Sequence, residues 1–203
     1  RRRSPLVHAH GSMFGGRHLL AADEPLPSGG AWIVHPWPAN PLLWRHHRFL
    51  LRTWVVITSA VPLRAYLLQE GWAHVVAKPS AKSDPLTSSY HDRCVHLWSI
   101  GACSVTHAHR IMRSNHEEFA ANLVGIPRQY VPSDYWRRRV WPALEDTATR
   151  AIAAVAPTLQ RHEQVLRNRP GVAPYRRVGL LTMDWIIDEH GRPFLYDADV
   201  DGV

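Results

Sequence analysis

A chain of 203 residues with 45% hydrophobic content and nine Trp can form one domain, or two small lobes around a shared cleft, and is too apolar to remain disordered. Lys plus Arg number 24 against 17 Asp plus Glu, a formal charge of +7 carried mostly by Arg, which favours acidic partners: nucleic acid, an anionic membrane or an acidic peptide. The absence of any run of 18 apolar residues argues against a membrane span, and Cys94 and Cys103 lack the number for a disulfide framework and the spacing for a metal site, which fits a reducing compartment.

The chain opens with Arg1-Arg2-Arg3-Ser4, and Leu6 and Val7 are too short an apolar stretch for a signal peptide, so the expectation is a sequence that starts inside a longer protein. Residues 11–16 read as a glycine-containing flexible loop and residues 23–30 as a second loop. Residues 31–34 are a short apolar run stopped by Pro36, Pro38 and Pro41. The β-branched residues of 53–59 predict a buried strand, and 63–68 predict its antiparallel partner, joined through Val61-Pro62. Residues 79–90 are polar and turn-rich, a loop. From 145 to 162, Ala148, Ile152, Val155 and Leu159 mark one helical face, and Pro157 is expected to kink or divide that helix. Residues 167–175 read as a loop. Two basic clusters, 45–48 and 137–139, interleave with Trp44, Trp136 and Trp141 in the manner of a nucleic-acid surface, but no zinc finger, RNP motif or basic zipper accompanies them.

The most informative segment is the last. Residues 178–187 and 192–200 are strand-like runs around Asp188-Glu189-His190-Gly191, with Gly191 suited to a positive φ. A four-residue loop would pair Asp184 with Leu195 and Thr182 with Asp197. Alternation then puts Leu181, Met183, Trp185, Ile187, Phe194, Tyr196 and Ala198 on one face, and Thr182, Asp184, Asp197 and Asp199, with Leu180, Ile186 and Leu195, on the other. Three carboxylates on one face call for neutralisation, which an oxygen-liganded cation such as Mg²⁺ supplies; an exposed, solvated face is the alternative. Asp197-Ala198-Asp199-Val200-Asp201-Gly202 also matches the opening of a calcium-binding loop, although a strand leads into it and the given sequence ends before the twelfth position, where a Glu is expected.

Five stretches in order resemble motifs of the tubulin–tyrosine-ligase-like family. Trp32-Ile33-Val34-His35-Pro36-Trp37-Pro38-Ala39-Asn40-Pro41-Leu42-Leu43 is similar to the family's W-I-V-Q-K-Y-I-x-N-P-L-L. Phe49-Leu50-Leu51-Arg52 resembles F-D-L-R, and Pro62-Leu63-Arg64-Ala65-Tyr66 opens a stretch like P-L-R-x-Y-L-Y-x-E-G. Arg93-Cys94-Val95-His96-Leu97-Trp98-Ser99 is similar to R-F-V-H-L-T-N. Asp184, Asp188, Pro193, Phe194, Leu195, Tyr196, Asp197, Ala198 and Asp199 follow G-F-D-x-x-x-D-x-x-x-x-P-W-L-L-E-V-N.

The resemblance implies an α+β, ATP-grasp-like fold, antiparallel sheets with flanking helices, incomplete at its N-terminal side. Residues 1–34 would end the central lobe with its flexible Gly loop, and 35–203 would form the C-terminal lobe. It implies an ATP-dependent ligase that activates a carboxylate as an acylphosphate for attack by an amine, with ATP and Mg²⁺ as cofactors, an amino acid as substrate and tubulin or another protein with an acidic tail as partner. A cytoplasmic, microtubule-associated location would follow. By the same resemblance Asp184, Asp197 and Asp199 take the metal positions, Arg52 the catalytic cation, and His8, His35, Trp37, Pro38 and His74 the nucleotide positions. Several depart from the family: His8 stands for a phosphate-binding Lys, His35-Pro36 for Gln-Lys, Pro38 for a residue whose amide is a donor, Leu50 for Asp, His74 for Arg and Trp98 for Thr. These losses leave a second reading open, a catalytically inactive relative that binds tubulin or another acidic protein.

Overall fold

The computed structural model of the chain describes residues 6–11, 17–21, 23–26, 28, 31–38, 40–76, 78–79, 107–111, 116–169 and 178–200. Both cysteines, the 93–99 motif and most of the expected loops at 11–16, 79–90 and 167–175 lie outside them.

Strands β1 (Leu6–Gly11), β2 (Arg17–Ala21) and β3 (Trp32–Pro36) form a small antiparallel sheet in the order β2-β1-β3. The rest of the described strands join one larger antiparallel sheet: β4 (Leu43–Trp44), β5 (His47–Ala60), β6 (Leu63–Val75), β7 (His107–Ile111), β8 (Leu123–Val124), β9 (Gly179–Ile187) and β10 (Pro193–Val200). Strand β5 is its spine. One edge pairs with β6 along most of its length; the other pairs first with β4 and then with β9. The expected hairpin through Val61-Pro62 is present, and both strands run well beyond the segments 53–59 and 63–68 that predicted them.

Alternation along β5 explains the two faces of the sheet. Phe49, Leu51, Thr53 and Val55 are buried on one side with Ala73 and Val75 of β6 and Met183, Trp185 and Ile187 of β9. Trp185 donates its indole N–H to the Thr53 hydroxyl at 2.8 Å, which satisfies both polar groups inside the core. Helices cover this face: α1 (His116–Ala121), α2 (Pro132–Tyr135), a π-helical turn (Trp136–Val140) and α3 (Trp141–Arg167). The wide turn buries Trp136 and Val140, four apart, and leaves Arg137, Arg138 and Arg139 outside.

Helix α3 corrects one expectation. It is a single 27-residue helix that contains Pro157 and is not divided there. Pro157 lies at an exposed position, where water can take up the carbonyl that proline's missing N–H leaves. Leu144, Ala148 and Ile152 form the buried stripe, whereas Val155 is exposed, so the apolar face read from sequence extends past the core it covers.

The β9–β10 hairpin forms as expected, with Gly191 at φ 76° in its turn. Its register differs. Ile187 pairs with Pro193 because Asp188 holds Arg192 in the turn, accepting from the Arg192 backbone N–H at 2.8 Å and from Nε at 2.7 Å. Leu195 therefore shares a face with Trp185, and Phe194 with Ile186, opposite to the expected sides. A β-bulge between Leu195 and Asp197 then absorbs Tyr196 as an extra residue, and from there on Asp197 pairs with Asp184 and Asp199 with Thr182. The carboxylates are on one face, as predicted, through pairings that were not. Asp197 to Val200 are strand residues, which removes the calcium-loop alternative at that stretch.

Candidate active site

The face of the larger sheet turned away from the helices carries the polar residues. Register places Arg48, Leu50 and Arg52 of β5 there beside Trp72 and His74 of β6, Asp184 and Ile186 of β9, and Asp197 and Asp199 of β10. Arg52, Asp184 and Asp197 stand in one row across three neighbouring strands. Arg52 donates from Nε to Asp184 Oδ1 and from Nη2 to Asp184 Oδ2, each at 2.8 Å, a bidentate charge-assisted pair. The Asp184 side chain is 3% exposed and that of Arg52 25%. Asp197 is half-buried with its Oδ1 accepting from the Ala198 N–H at 2.9 Å, and Asp199 is exposed.

Residues that follow β3 close over this face. Trp37 is buried and meets Tyr196 edge-on at 6.2 Å between ring centroids, and His35 meets the same tyrosine at 6.4 Å. Trp37, Arg48, Leu50 and Ile186 line a cavity of about 10 Å³, the room of a single water and far less than a purine needs. Burial of Arg48 pushes its guanidinium down to about 10. His74 is also held below the usual histidine range, first by burial and then by the Arg52 charge, with Asp184 opposing in part. It sits opposite Leu50 across β5–β6.

The sequence-predicted positions thus fall into two groups. Arg52, His74, Asp184, Asp197 and Asp199 share the sheet face. Trp37 and His35 approach it through Tyr196, and Pro38 is buried next to Trp37. His8 belongs to β1, its backbone paired with His35. Sequence reasoning missed Arg48 and Tyr196. Arg48 was legible, since Arg48, Leu50 and Arg52 alternate along one strand; Tyr196 reaches this side because the turn shifts the register by one residue.

Comparison with known proteins gives the family of the chain. The sequence profile of the tubulin-tyrosine ligase family matches residues 18–199. The chain belongs to the tubulin-tyrosine ligase family. It is 20% identical over 186 residues to tubulin polyglutamylase ttll6 of Danio rerio, covering 91% of this chain and 23% of that protein. It is 22% identical over 200 residues to tubulin polyglutamylase TTLL13 of Mus musculus, again covering 91% and 23%. Over a shorter stretch of 72 residues it is 35% identical to tubulin polyglutamylase ttll-5 of Caenorhabditis elegans, covering 36% and 10%. The chain therefore spans about a quarter of the length of the first of these relatives.

For a tubulin-tyrosine ligase family domain the resemblance calls for Mg²⁺ on three carboxylates, and their oxygen donors suit that ion in kind. Their arrangement does not fit it. Both oxygens of Asp184 are taken by Arg52, and among the described residues no three Asp, Glu, His or Cys side chains gather closely enough to hold a metal. Asp184 is neutralised by a cation of the chain itself, Arg52.

Proposed function

We infer that the chain is part of an ATP-dependent ligase domain that joins an amino acid to the acidic tail of tubulin or a similar protein, through an acylphosphate and attack by an amine. The observation that carries this reading is the row Arg52–Asp184–Asp197 on the face turned away from the described helices, with Arg48 on the same face. Phosphoryl and acyl transfer depend on fixed positive groups aimed at developing negative charge, and Arg52 is anchored by a rigid central strand for that role. A net charge of +7 suits an acidic protein tail. The polyglutamylase relatives make glutamate the first amino acid to try. The reading implies a cytoplasmic, microtubule-associated location. Its test is incubation with tubulin, ATP, Mg²⁺ and labelled glutamate, glycine or tyrosine. Label joined to the tails and lost in Arg52→Ala supports it; no incorporation of any of the three defeats it.

A second reading, a non-catalytic relative that binds acidic tails, is favoured by two features of the nucleotide positions. Pro38 is buried where the family uses an amide donor, and the neighbouring cavity is too small for a base. Calorimetry with ATP separates the readings. Absence of nucleotide binding, together with salt-sensitive binding to microtubules that is lost when the tails are cleaved, would select the second.

A further inference from the structure

We propose that Arg52 is the resident counter-ion of Asp184, so that this face takes a divalent cation only in competition with its own guanidinium. The inference rests on reading the face as the phosphate-and-cation side of a ligase-type domain, and it concerns how that side is controlled. Three observations converge. Arg52 and Asp184 are register partners in the middle of the sheet, so their backbones hold them together before any side chain chooses a rotamer. Both carboxylate oxygens accept from the guanidinium at 2.8 Å, which saturates the side of Asp184 that faces β5. Asp197 lies directly across β10 on the other side, so an ion bridging the two carboxylates would come within a few ångströms of the guanidinium.

Two cations cannot share Asp184 cheaply at that range, because their repulsion is only weakly screened near a buried carboxylate. The cation alone therefore binds poorly while Arg52 holds both oxygens of Asp184.

The experiment uses the whole chain and Mn²⁺ as probe, with the bound ion read by electron paramagnetic resonance. Arg52→Gln removes the charge and keeps a donor; the expected result is Mn²⁺ affinity at least about tenfold above the parent. Adding Asp184→Asn to Arg52→Gln should cancel the gain while keeping a neutral pair of similar shape. If Arg52→Gln alone does not fold, Arg52→Lys decides, since loss of the planar fork should raise Mn²⁺ affinity about threefold. Affinity in these variants equal to or below that of the parent overturns the proposal, as does failure of every form to bind Mn²⁺. Tighter Mn²⁺ binding in Arg52→Gln with no binding of ATP by any form would uphold it and remove the ligase reading instead.

Discussion

Arg52 and Asp184 meet as a fork on a carboxylate across two adjacent central strands, Nε to Oδ1 and Nη2 to Oδ2. The carboxylate is almost wholly buried, so removing its partner leaves an uncompensated charge in the sheet. Arg52→Ala should destabilise the fold by about 3–5 kcal/mol. Asp184→Ala should cost a comparable amount. The double variant should cost less than the two summed, by at least about 1 kcal/mol, because the stranded charge is then gone. Urea denaturation of the four proteins gives the cycle, and strict additivity would show that the pair is not coupled.

The two-residue turn between β4 and β5 consists of Arg45 and His46, at φ 49° and 68°. Both residues occupy the left-handed region that such turns normally give to Asn and Gly. His46→Gly relieves one of these positions and should raise stability by about 0.5–1 kcal/mol. Arg45 is tied to Asn122 through Nε at 2.9 Å and lies over the Trp44 ring, so Arg45→Gly should gain less. Thermal melts of both variants make the comparison.

Tyr135 ties the helical layer to the β9–β10 turn by donating its hydroxyl to the Glu189 carbonyl at 2.5 Å. Burial, foremost, pushes that phenol up to about 12, so the hydroxyl remains a donor throughout the neutral range. Tyr135→Phe should cost about 1–2 kcal/mol. Gly191→Ala should also destabilise, because its φ of 76° disfavours a side chain and a Cβ there would stand 3.1 Å from the Tyr135 hydroxyl. Combining the two should relieve that contact but not the backbone strain. Guanidinium chloride titrations at pH 7 would show a double variant no better than Gly191→Ala if the phenol contact is unimportant.

His74 predicts how stability follows pH. Its folded value lies below the unfolded 6.5, mainly through burial, so the unfolded chain binds the proton more readily. Its contribution is therefore fully present above about pH 6.5 and is lost as pH falls below that value. His74→Gln should flatten the loss between pH 6.5 and 5 relative to the parent. Identical slopes for the two proteins would show that the imidazole is not protected in the fold.

Much of this was legible in the sequence, for identifiable reasons. Period-two alternation in residues 178–200 put Asp184, Asp197 and Asp199 on one face, whereas Arg52 entered only through the family resemblance. What could not be read was which partner each carboxylate would take. Pairing of Arg52 with Asp184 depends on the register of strands 132 residues apart, and no local pattern carries that. The turn length escaped for a different reason. Asp188 can satisfy the Arg192 amide with its side chain, a competition between side chain and ladder that a hairpin template ignores. Helix α3 was misjudged at Pro157 because a proline's cost depends on whether its carbonyl partner can reach water.

The turn and the bulge of β10 also bear on how insertions and deletions can be tolerated here. The turn keeps one residue more than a simple loop would, which inverts Phe194 and Leu195; the bulge at Tyr196 inverts the strand once more and restores the carboxylates to their side. Each irregularity is a frameshift in the pleat, and the two compensate. Straightening the bulge with Tyr196 still in the strand would set Asp197 opposite Met183 and turn it toward the hydrophobic core, whereas deleting Tyr196 removes the extra residue and leaves Asp197 opposite Asp184. The bulge is thus a place in β10 where one residue can be lost without moving Asp197 and Asp199 to the other face.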